Sequence, residues 1–431
     1  MRRLTVLLAF AVAACAARPS TERVEVPRRA DAQAPLPVRR SDPIDGPLVR
    51  VALLDGVPSA ALSATGSWRM FRGERAGTVV ARGAAGEGWT VEAGTATLRL
   101  RRADGVPTEW IHGPVLVRAL ADDALVSVNG KRYRGEVLLV PSQSGVVVVN
   151  RLPMEWYLRG VVPLEIGPDR RDSELAAAQA QAVAARTYAL VKLREAGTRA
   201  YDVRASVLDQ VYGGVGAERP VSDAAVHGTA GLVLRYRGRV VNAPYHSACG
   251  GSTAEPQEVW SATAEPYLRR VSDRIPGTDR HYCDLAPRAR WTRSWTTTEL
   301  DTLVVRYLAR ASGGRAARGH VRRVRVDNVT PSGRAEALVV DTDGGTVRLR
   351  GNEMRSVFRY ATGEMLNSTY VSVQVAEQDA RGLTRLTLRG QGYGHGIGMC
   401  QWGAIGRARA GQDFRTILAT YYPGTTIDQL D

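Results

Sequence analysis

The chain has 431 residues, 44% of them hydrophobic, which indicates a globular protein long enough for two or more domains with their own cores. Its net charge of +15 comes from an excess of arginine and suits an anionic partner, although codon bias in a GC-rich genome would give the same excess. The arginines are spread along the chain and no arginine–aromatic module stands out, so we do not expect nucleic acid as the partner.

The N-terminus has the pattern of an export signal. Two arginines precede an apolar run from Leu4 to Ala14, and small residues lead to Cys15. The ending VAAC resembles a bacterial lipoprotein signal, so we expect residues 1–15 to be a signal peptide with Cys15 as the lipidated residue. The alternative is a plain secretory signal. The apolar run is too short to span a bilayer, so the sequence predicts a cell-envelope protein, anchored to the membrane by its lipid on the periplasmic side.

Two regions that differ in amino-acid composition follow the signal. Residues 16–45 are rich in Pro, Arg, Asp and Ala without periodicity, which predicts a disordered linker. Residues 46–149 contain short runs of β-branched residues between glycine-rich turns, which predicts a β-rich N-terminal region.

A helical region begins near residue 152. LPMEWYLRGVV predicts one short helix that is broken at Pro163. The clearest helix follows, capped by Asp172 or Ser173 and stopped at Gly197. Its stripe of alanines predicts burial on most sides, so polar side chains beside the stripe should point into a cleft. A solvated face is the alternative. The polar candidates are Gln181, Arg186 and Tyr188.

The rest of the chain mixes strands and helices. VLRYRGRVVNAPY predicts a hairpin over 232–245, and residues 295–370 could form an inserted lobe. The C-terminal unit contains a strand, a glycine-rich loop and two helices. We therefore expect an α+β fold, in which a β-rich N-terminal part precedes a mixed catalytic core at 150–431 with a central Ala-rich helix.

An ordered set of motifs from Leu152 onward resembles the SpoIID/LytB family of bacterial cell-envelope proteins that act on peptidoglycan glycan strands. The motifs are EWYLRGVVPLEIGP (155–168), ELAAAQAQAVAARTYAL (174–190), DQVYGG (209–214), YHSACGGSTAEPQEVW (245–260), PYLRRV (266–271), GYGHGIGMCQWGA (392–404) and ILATYYPGT (417–425). Each motif alone is weak, but together they extend over most of residues 150–425.

The resemblance implies lytic transglycosylation, in which the MurNAc–GlcNAc bond is cleaved and a 1,6-anhydro-MurNAc end forms. One carboxyl group with a raised pKa suffices for this chemistry. The resemblance points to Glu165 as that acid, at a position where the family has Glu-Met-Pro and this chain has Glu-Ile-Gly-Pro. Glu174 is the second candidate, although the first turn of a helix favours Glu in any case.

Further residues in the motifs suit sugar binding. Gln210 and Tyr212 offer amide and phenol groups for hydrogen bonding and stacking, with a purely structural turn as the alternative. His395 lies between glycines that allow a ligand to approach closely. Ser247 and Gln401 are candidates for the same site, and packing that holds the loop is the alternative for His395.

Three cysteines remain once Cys15 is set aside. Cys249, Cys283 and Cys400, with His246 as fourth ligand, could close a tetrahedral structural zinc site. A Cys249–Cys283 disulfide is the alternative, which export favours. Some relatives carry a Cys/His zinc cluster just before the QVY sequence, and this chain has neither residue type there. No cofactor is expected to be required for catalysis.

Two functions stay open at this point. The first is a peptidoglycan lytic transglycosylase with glycan strands as its partner. The second is a non-catalytic glycan-binding protein that enhances a cell-wall amidase, a role that the family name also covers.

Overall fold

The computed structural model describes residues 46–260, 262–311 and 317–430. The predicted signal at 1–15, its lipid site Cys15 and the predicted linker at 16–45 lie outside the described residues. No helix within these ranges is both long and apolar enough to cross a membrane. Helices and strands are both abundant, which confirms the predicted α+β class.

The N-terminal part is built of short strands, and buried side chains alternate with more exposed ones along several of them. The strand bounds are β1 Leu48–Val57, β2 Ser59–Ala64, β3 Trp68–Arg72, β4 Val79–Gly83, β5 Trp89–Gly94, β6 Thr97–Arg102, β7 Ile111–His112, β8 Val115–Ala119, β9 Val126–Val128, β10 Lys131–Tyr133, β11 Glu136–Ser142, β12 Gly145–Pro153 and β13 Val203–Arg204. They form a seven-stranded sheet in the order β13-β1-β12-β11-β8-β3-β4 and a six-stranded sheet in the order β10-β9-β2-β5-β6-β7.

Strand β12 leads directly into the first helix, α1, which spans Met154–Ile166. The predicted boundary between 46–149 and 150–431 falls inside β12, and one hydrophobic core contains side chains from both parts. Pro163 lies within α1, so the prediction that this helix breaks there was wrong. Proline removes one backbone donor, but burial of residues such as Val161 and Val162 keeps the helix in place.

Helix α2, Leu175–Ala196, confirms the predicted alanine-rich helix. Its alanines from Ala177 to Ala185 are buried, which lets several elements approach it closely. It ends at Gly197, whose φ of 54° lies in the region that glycine tolerates best. The helix is therefore the centre of the core rather than a surface element.

A short hairpin and two brief helices follow. Their bounds are α3 Pro220–His227, β14 Leu232–Tyr236, β15 Arg239–Val240, β16 Tyr245–His246 and α4 Pro256–Val259. Strands β14 and β15 pair antiparallel, which confirms the hairpin predicted there.

A second hydrophobic core holds side chains from Trp291 to Leu388, a range that extends past both ends of the predicted lobe at 295–370. Its elements are β17 Arg290–Thr296, α5 Thr297–Leu303, a wider helical turn at Val304–Leu308, α6 Ala309–Ala311, β18 Val321–Val329, β19 Ala335–Thr342, β20 Gly345–Arg350, α7 Asn352–Val357, β21 Val371–Asp379 and β22 Gly382–Gln391. The boundaries of this lobe stay a prediction.

The C-terminal unit returns to the first core. It consists of β23 Met399–Cys400, α8 Gln401–Arg409, α9 Phe414–Tyr421 and β24 Thr426–Gln429. Strand β23 pairs in parallel with β16, so that His246 lies opposite Cys400. This pairing brings the HSACGG loop and the glycine-rich loop together.

Candidate active site

Glu165 lies in the last turn of α1 with its side chain partly exposed. Its Oε1 accepts a 2.8 Å hydrogen bond from the backbone amide of Val211, and the side chain of Gln401 also hydrogen-bonds the carboxyl group. Burial raises the pKa of Glu165 from 4.5 to about 7, although both hydrogen bonds act against it. The carboxyl group is therefore poised to give and take a proton near neutral pH.

The DQVYGG segment reaches Glu165 because Gly160 of α1 leaves room for it. A Cβ atom at Gly160 would lie 2.4 Å from the ring of Tyr212. The amide of Gly213 donates to the carbonyl of Gly160 at 3.1 Å, which fixes the segment against the helix. This packing aims the amide of Val211 at the catalytic candidate.

Gln210 is fully buried, and its side chain is engaged inside the protein. Its Oε1 accepts from the hydroxyl of Tyr157 at 3.0 Å, while its Nε2 donates to the hydroxyl of Tyr245 at 2.8 Å and to the carbonyl of Ala185 at 3.3 Å. Gln210 therefore positions two tyrosines near Glu165, in place of the sugar contact predicted for it.

Tyr188 is partly exposed beside the same site, and its hydroxyl hydrogen-bonds Asp209. Its ring packs edge-on against Tyr245 with the centroids 6.5 Å apart. Burial, and then the charge of Asp209, raise the pKa of Tyr188 well above its ordinary value, so the phenol keeps its proton. The sugar contact expected of Tyr188 stays a prediction.

Gln401 joins the glycine-rich loop to this site. Its Nε2 donates to Oε1 of Gln181 at 3.2 Å, and both side chains are buried. The Nε2 of Gln181 has no hydrogen-bond partner among the residues that the structure describes. An unpaired buried donor is costly unless water or a ligand accepts a hydrogen bond from it. This glutamine pair therefore stays a candidate for substrate binding.

Two predicted sugar-binding residues belong to the core instead. Arg186 is fully buried and forms a bidentate ion pair with Glu155, at 2.7 and 2.6 Å. Tyr212 is also buried, and its hydroxyl donates to Oδ1 of Asn150 at 2.8 Å. Neither side chain is placed to touch a glycan, because its polar groups already have protein partners.

His395 supports an aromatic face rather than offering a ring nitrogen. The amide of Ile397 donates to Nδ1 at 3.1 Å, so Nε2 carries the hydrogen and donates to the carbonyl of Tyr245 at 2.9 Å. Burial lowers the pKa of His395 to about 3, so the ring is neutral. It packs against Trp260 with centroids 4.9 Å apart, and Trp260 is 37% exposed.

Ser247 is partly exposed on the neighbouring loop. Its carbonyl accepts from the amide of Trp402 at 3.0 Å, while its hydroxyl has no hydrogen-bond partner among the described residues. The ligand contact expected of Ser247 stays a prediction. Arg170 covers the ring of Trp402 at 5.6 Å, which adds a positive charge to this face.

The second candidate acid, Glu174, is unsuited to proton transfer. Burial alone would raise the pKa of Glu174, but hydrogen bonds from Arg409 and the amide of Arg171, with the charge of Arg170, outweigh burial and lower it. This carboxyl group is held as an anion by its arginine partners. Its role is to tie α8 to the start of α2.

The three predicted thiols come together, but with a different fourth residue. Cys249, Cys283 and Cys400 are buried free thiols that form one cluster with Asp273, all four ligand atoms lying within 4.8 Å of one another. The Sγ atoms of Cys249 and Cys283 are 3.4 Å apart. The predicted fourth ligand, His246, is not in this cluster.

The ring of His246 is instead turned to the backbone. Its Nδ1 lies 3.1 Å from the carbonyl of Ile397, and its Nε2 has no hydrogen-bond partner in the described part of the chain. Sequence reasoning missed Asp273 because no motif marks it. The turn at Pro276–Gly277 is the sequence feature that could have indicated its place near Cys283. This turn reverses the chain, and the amide of Tyr282 donates to the carbonyl of Asp273 at 2.9 Å.

A partly buried glutamic acid with a pKa near neutrality, ringed by tyrosines and amides, is the arrangement of a general acid–base site. Comparison with known proteins identifies the family. The profile of the SpoIID family, described as Stage II sporulation protein, matches residues 142–236, and that of a domain of unknown function (DUF8618) matches residues 284–398.

Individual relatives agree with the family match. An uncharacterized protein of Brachyspira hyodysenteriae is 31% identical over 302 residues, covering 70% of this chain and 73% of the relative. The Amidase enhancer of Bacillus subtilis is 31% identical over 337 residues, covering 70% of this chain but 45% of that longer protein. Stage II sporulation protein D of Bacillus subtilis is 27% identical over 300 residues, covering 66% and 76%. The chain belongs to the SpoIID/LytB family, and its role is related to the bacterial cell wall.

Proposed function

We propose that this protein is a peptidoglycan lytic transglycosylase in which Glu165 acts first as general acid and then as general base. The observation that supports the proposal is the carboxyl group of Glu165, which lies in the family's acidic motif, has its pKa raised to about 7 and is hydrogen-bonded by Val211 and Gln401. One such group is enough because the reaction consumes no water.

The proposed reaction uses one proton, which Glu165 first donates and then takes back. Protonated Glu165 donates its proton to the glycosidic oxygen as the C1–O4 bond between MurNAc and GlcNAc breaks. The C6 hydroxyl oxygen of MurNAc then attacks C1, and the Glu165 carboxylate takes the hydroxyl proton. The products are a 1,6-anhydro-MurNAc end and a free GlcNAc 4-hydroxyl, and the enzyme returns to its protonated state.

The neighbouring side chains support a glycan as substrate. Tyr188 and the Gln181–Gln401 pair offer neutral hydrogen-bond donors and acceptors beside Glu165. Trp260, backed by the His395 ring, offers an aromatic face for a sugar ring. Neutral polar groups can hydrogen-bond sugar hydroxyls, and an exposed aromatic ring can pack against the apolar face of a sugar.

We also propose that Cys15 carries a lipid that holds the protein at the cell envelope. The sequence from Arg2 to Cys15 supports this, since it has the order of a lipoprotein signal. The Cys15→Ser variant, expressed in cells, should move from the membrane fraction to the soluble fraction. Equal membrane association of both proteins would contradict lipid anchoring at this residue.

A second function has support from one relative. The Amidase enhancer of Bacillus subtilis is 31% identical to this chain, so a glycan-binding role that assists a separate amidase is the alternative. Such a role would need the glycan-binding face but would not need a proton carried by Glu165.

The products released from purified peptidoglycan distinguish the two functions. Wild type should release 1,6-anhydro products that mass spectrometry detects, and Glu165→Gln should release none while still binding glycan strands. Glu195→Gln is the matched control, because Glu195 is an exposed glutamate near the far end of α2. If wild type releases no anhydro products from peptide-free strands but stimulates an amidase, the protein is a glycan-binding amidase enhancer and not a lytic transglycosylase.

A further inference from the structure

We propose that Cys249, Asp273, Cys283 and Cys400 form a structural zinc site that fixes the loop carrying Gln401. The inference rests on the geometry of these four side chains and does not depend on the activity proposed above. Four protein ligands leave no open position for water, which is the mark of a structural rather than a catalytic zinc ion.

The spacing of the four ligand atoms fits one tetrahedral ion. Zinc–sulfur bonds of about 2.3 Å place two ligand sulfurs about 3.8 Å apart. The Sγ atoms of Cys249 and Cys283 lie 3.4 Å apart, and Oδ2 of Asp273 lies 3.7 Å from Sγ of Cys249. All four ligand atoms lie within 4.8 Å of one another, so one ion can reach each of them.

The carboxylate of Asp273 is oriented as a ligand with one oxygen. Its Oδ1 accepts from the hydroxyl of Tyr421 at 2.7 Å and from Nη2 of Arg407 at 3.2 Å. Its Oδ2 faces the thiols. Gly403 is required there, because a Cβ atom at that position would lie 2.4 Å from Oδ2. Outer partners that hold one oxygen while the other faces the ion are usual in zinc sites.

Backbone amides point at the sulfur of Cys400. The amides of Cys249 and Gly403 lie 3.2 and 3.3 Å from its Sγ, as donors to a thiolate would. Hydrogen bonds of this kind stabilise the deprotonated sulfur that binds metal. The protons of the three thiols pass to solvent when the ion binds.

Two buried arginines match the charge of such a site. Three thiolates and a carboxylate around a divalent ion leave an excess of negative charge. Arg407 pairs with Asp273, and the fully buried Arg334 donates to the carbonyl of Cys249 at 2.9 Å. The Nε and Nη1 atoms of Arg334 have no hydrogen-bond partner among the described residues. Its guanidinium also lies over the ring of Tyr370, 5.8 Å from the centroid.

The consequence for the active site follows from chain order. Cys400 immediately precedes Gln401, whose side chain hydrogen-bonds Glu165. An ion that ties Cys400 to Cys249 and Cys283 therefore fixes the loop that presents Gln401. The same ion joins the HSACGG loop to the segment 273–283, which covers the start of α8.

The test measures metal in the purified full chain. Elemental analysis should find about one zinc per chain, and replacement by Co²⁺ should give the intense visible bands of tetrahedral cobalt thiolate. Asp273→Asn should keep the thiolate bands but shift them and weaken metal binding. Tyr421→Phe, which removes one hydrogen bond to Oδ1, should weaken metal binding about tenfold.

The control separates the two possible fourth ligands. His246→Gln should leave zinc content and the cobalt spectrum unchanged. If His246→Gln loses zinc while Asp273→Asn binds zinc with full affinity, the proposed ligand set is wrong. A metal-free wild type, or a Cys249–Cys283 disulfide found by peptide mapping without reduction, would overturn the site itself. These readouts need no substrate, so their failure is distinct from failure of the proposed enzyme activity.

Discussion

The backbone amide of Val211 donates a 2.8 Å hydrogen bond to Oε1 of Glu165, joining the DQVYGG segment to the end of α1. The two residues are 46 positions apart in the chain. This contact fixes the direction of the carboxyl group while burial keeps its pKa near 7. The arrangement makes the pH dependence of both activity and stability testable.

Activity should fall as pH rises through about 7, because the first step needs Glu165 protonated. The rate of anhydro-product release, measured from pH 5 to 9 at constant ionic strength, should show this alkaline limb. A rate that stays constant across pH 7 would contradict the role of Glu165 as general acid.

Replacement of Glu165 by Gln should stabilise the fold at high pH. The folded pKa of about 7 lies above the unfolded value of 4.5, so between these values the folded state binds the proton more tightly. Wild type therefore loses stability as pH rises from about 4.5 to about 7, and the variant does not. The free energy of unfolding of the variant minus that of wild type should therefore be higher at pH 8 than at pH 4, by roughly 1 to 3 kcal/mol. Urea unfolding at both pH values measures the difference, and equal shifts would contradict the raised pKa.

Removal of the Gln401 side chain should move the alkaline limb to higher pH. Its hydrogen bond lowers the pKa of Glu165, so Gln401→Ala should raise that pKa further and also slow product release. The exposed Gln378 in β21 is the control position, where Gln378→Ala should leave the pH profile unchanged. A profile that shifts equally in both variants would show that Gln401 has no specific effect.

Arg186→Met should destabilise the fold rather than weaken glycan binding alone. It leaves the Glu155 carboxylate buried without its partner, which typically costs about 3 to 5 kcal/mol. The double variant with Glu155→Met removes both charges and should recover much of that loss. Chemical denaturation of the three proteins tests this, and full stability of Arg186→Met with lost glycan binding would restore the predicted substrate contact.

Trp260→Ala should weaken binding to glycan strands without changing the unfolding temperature by much. Its ring lies beside His395 and is 37% exposed, so its loss removes contact area rather than core packing. Trp110 is the matched control, because it is 43% exposed in the N-terminal part and is covered by Arg99 at 4.6 Å. Co-sedimentation with purified peptidoglycan should show a loss for Trp260→Ala only.

Local patterns predicted much of this molecule. The alanine stripe of α2, the glycine that ends it and the β14–β15 hairpin depend on residues close together in sequence. Pro163 does not break α1, because burial of the helix in the core outweighs the local preference of proline for a break. The ordered motifs also identified the family and the acidic motif that contains Glu165.

Partners far apart in the chain could not be predicted in this way. Arg186 pairs with Glu155 across 31 positions, and Asp273 approaches Cys400 from more than a hundred positions away. A residue type shows what a side chain can bind, but not which distant side chain will lie next to it. For this reason the sequence could group the three thiols, which the structure brings together, but could not show that Asp273 rather than His246 lies beside them.

The sequence by itself determined the fold class, the central helix, the family and a catalytic candidate, because periodicity and motif spacing report on nearby residues. The tertiary structure decided which polar side chains face the site and which are enclosed by the core. Burial and hydrogen bonding depend on how distant segments pack, and they set the pKa of Glu165, enclose Arg186 and Tyr212, and bring Asp273 to the thiols.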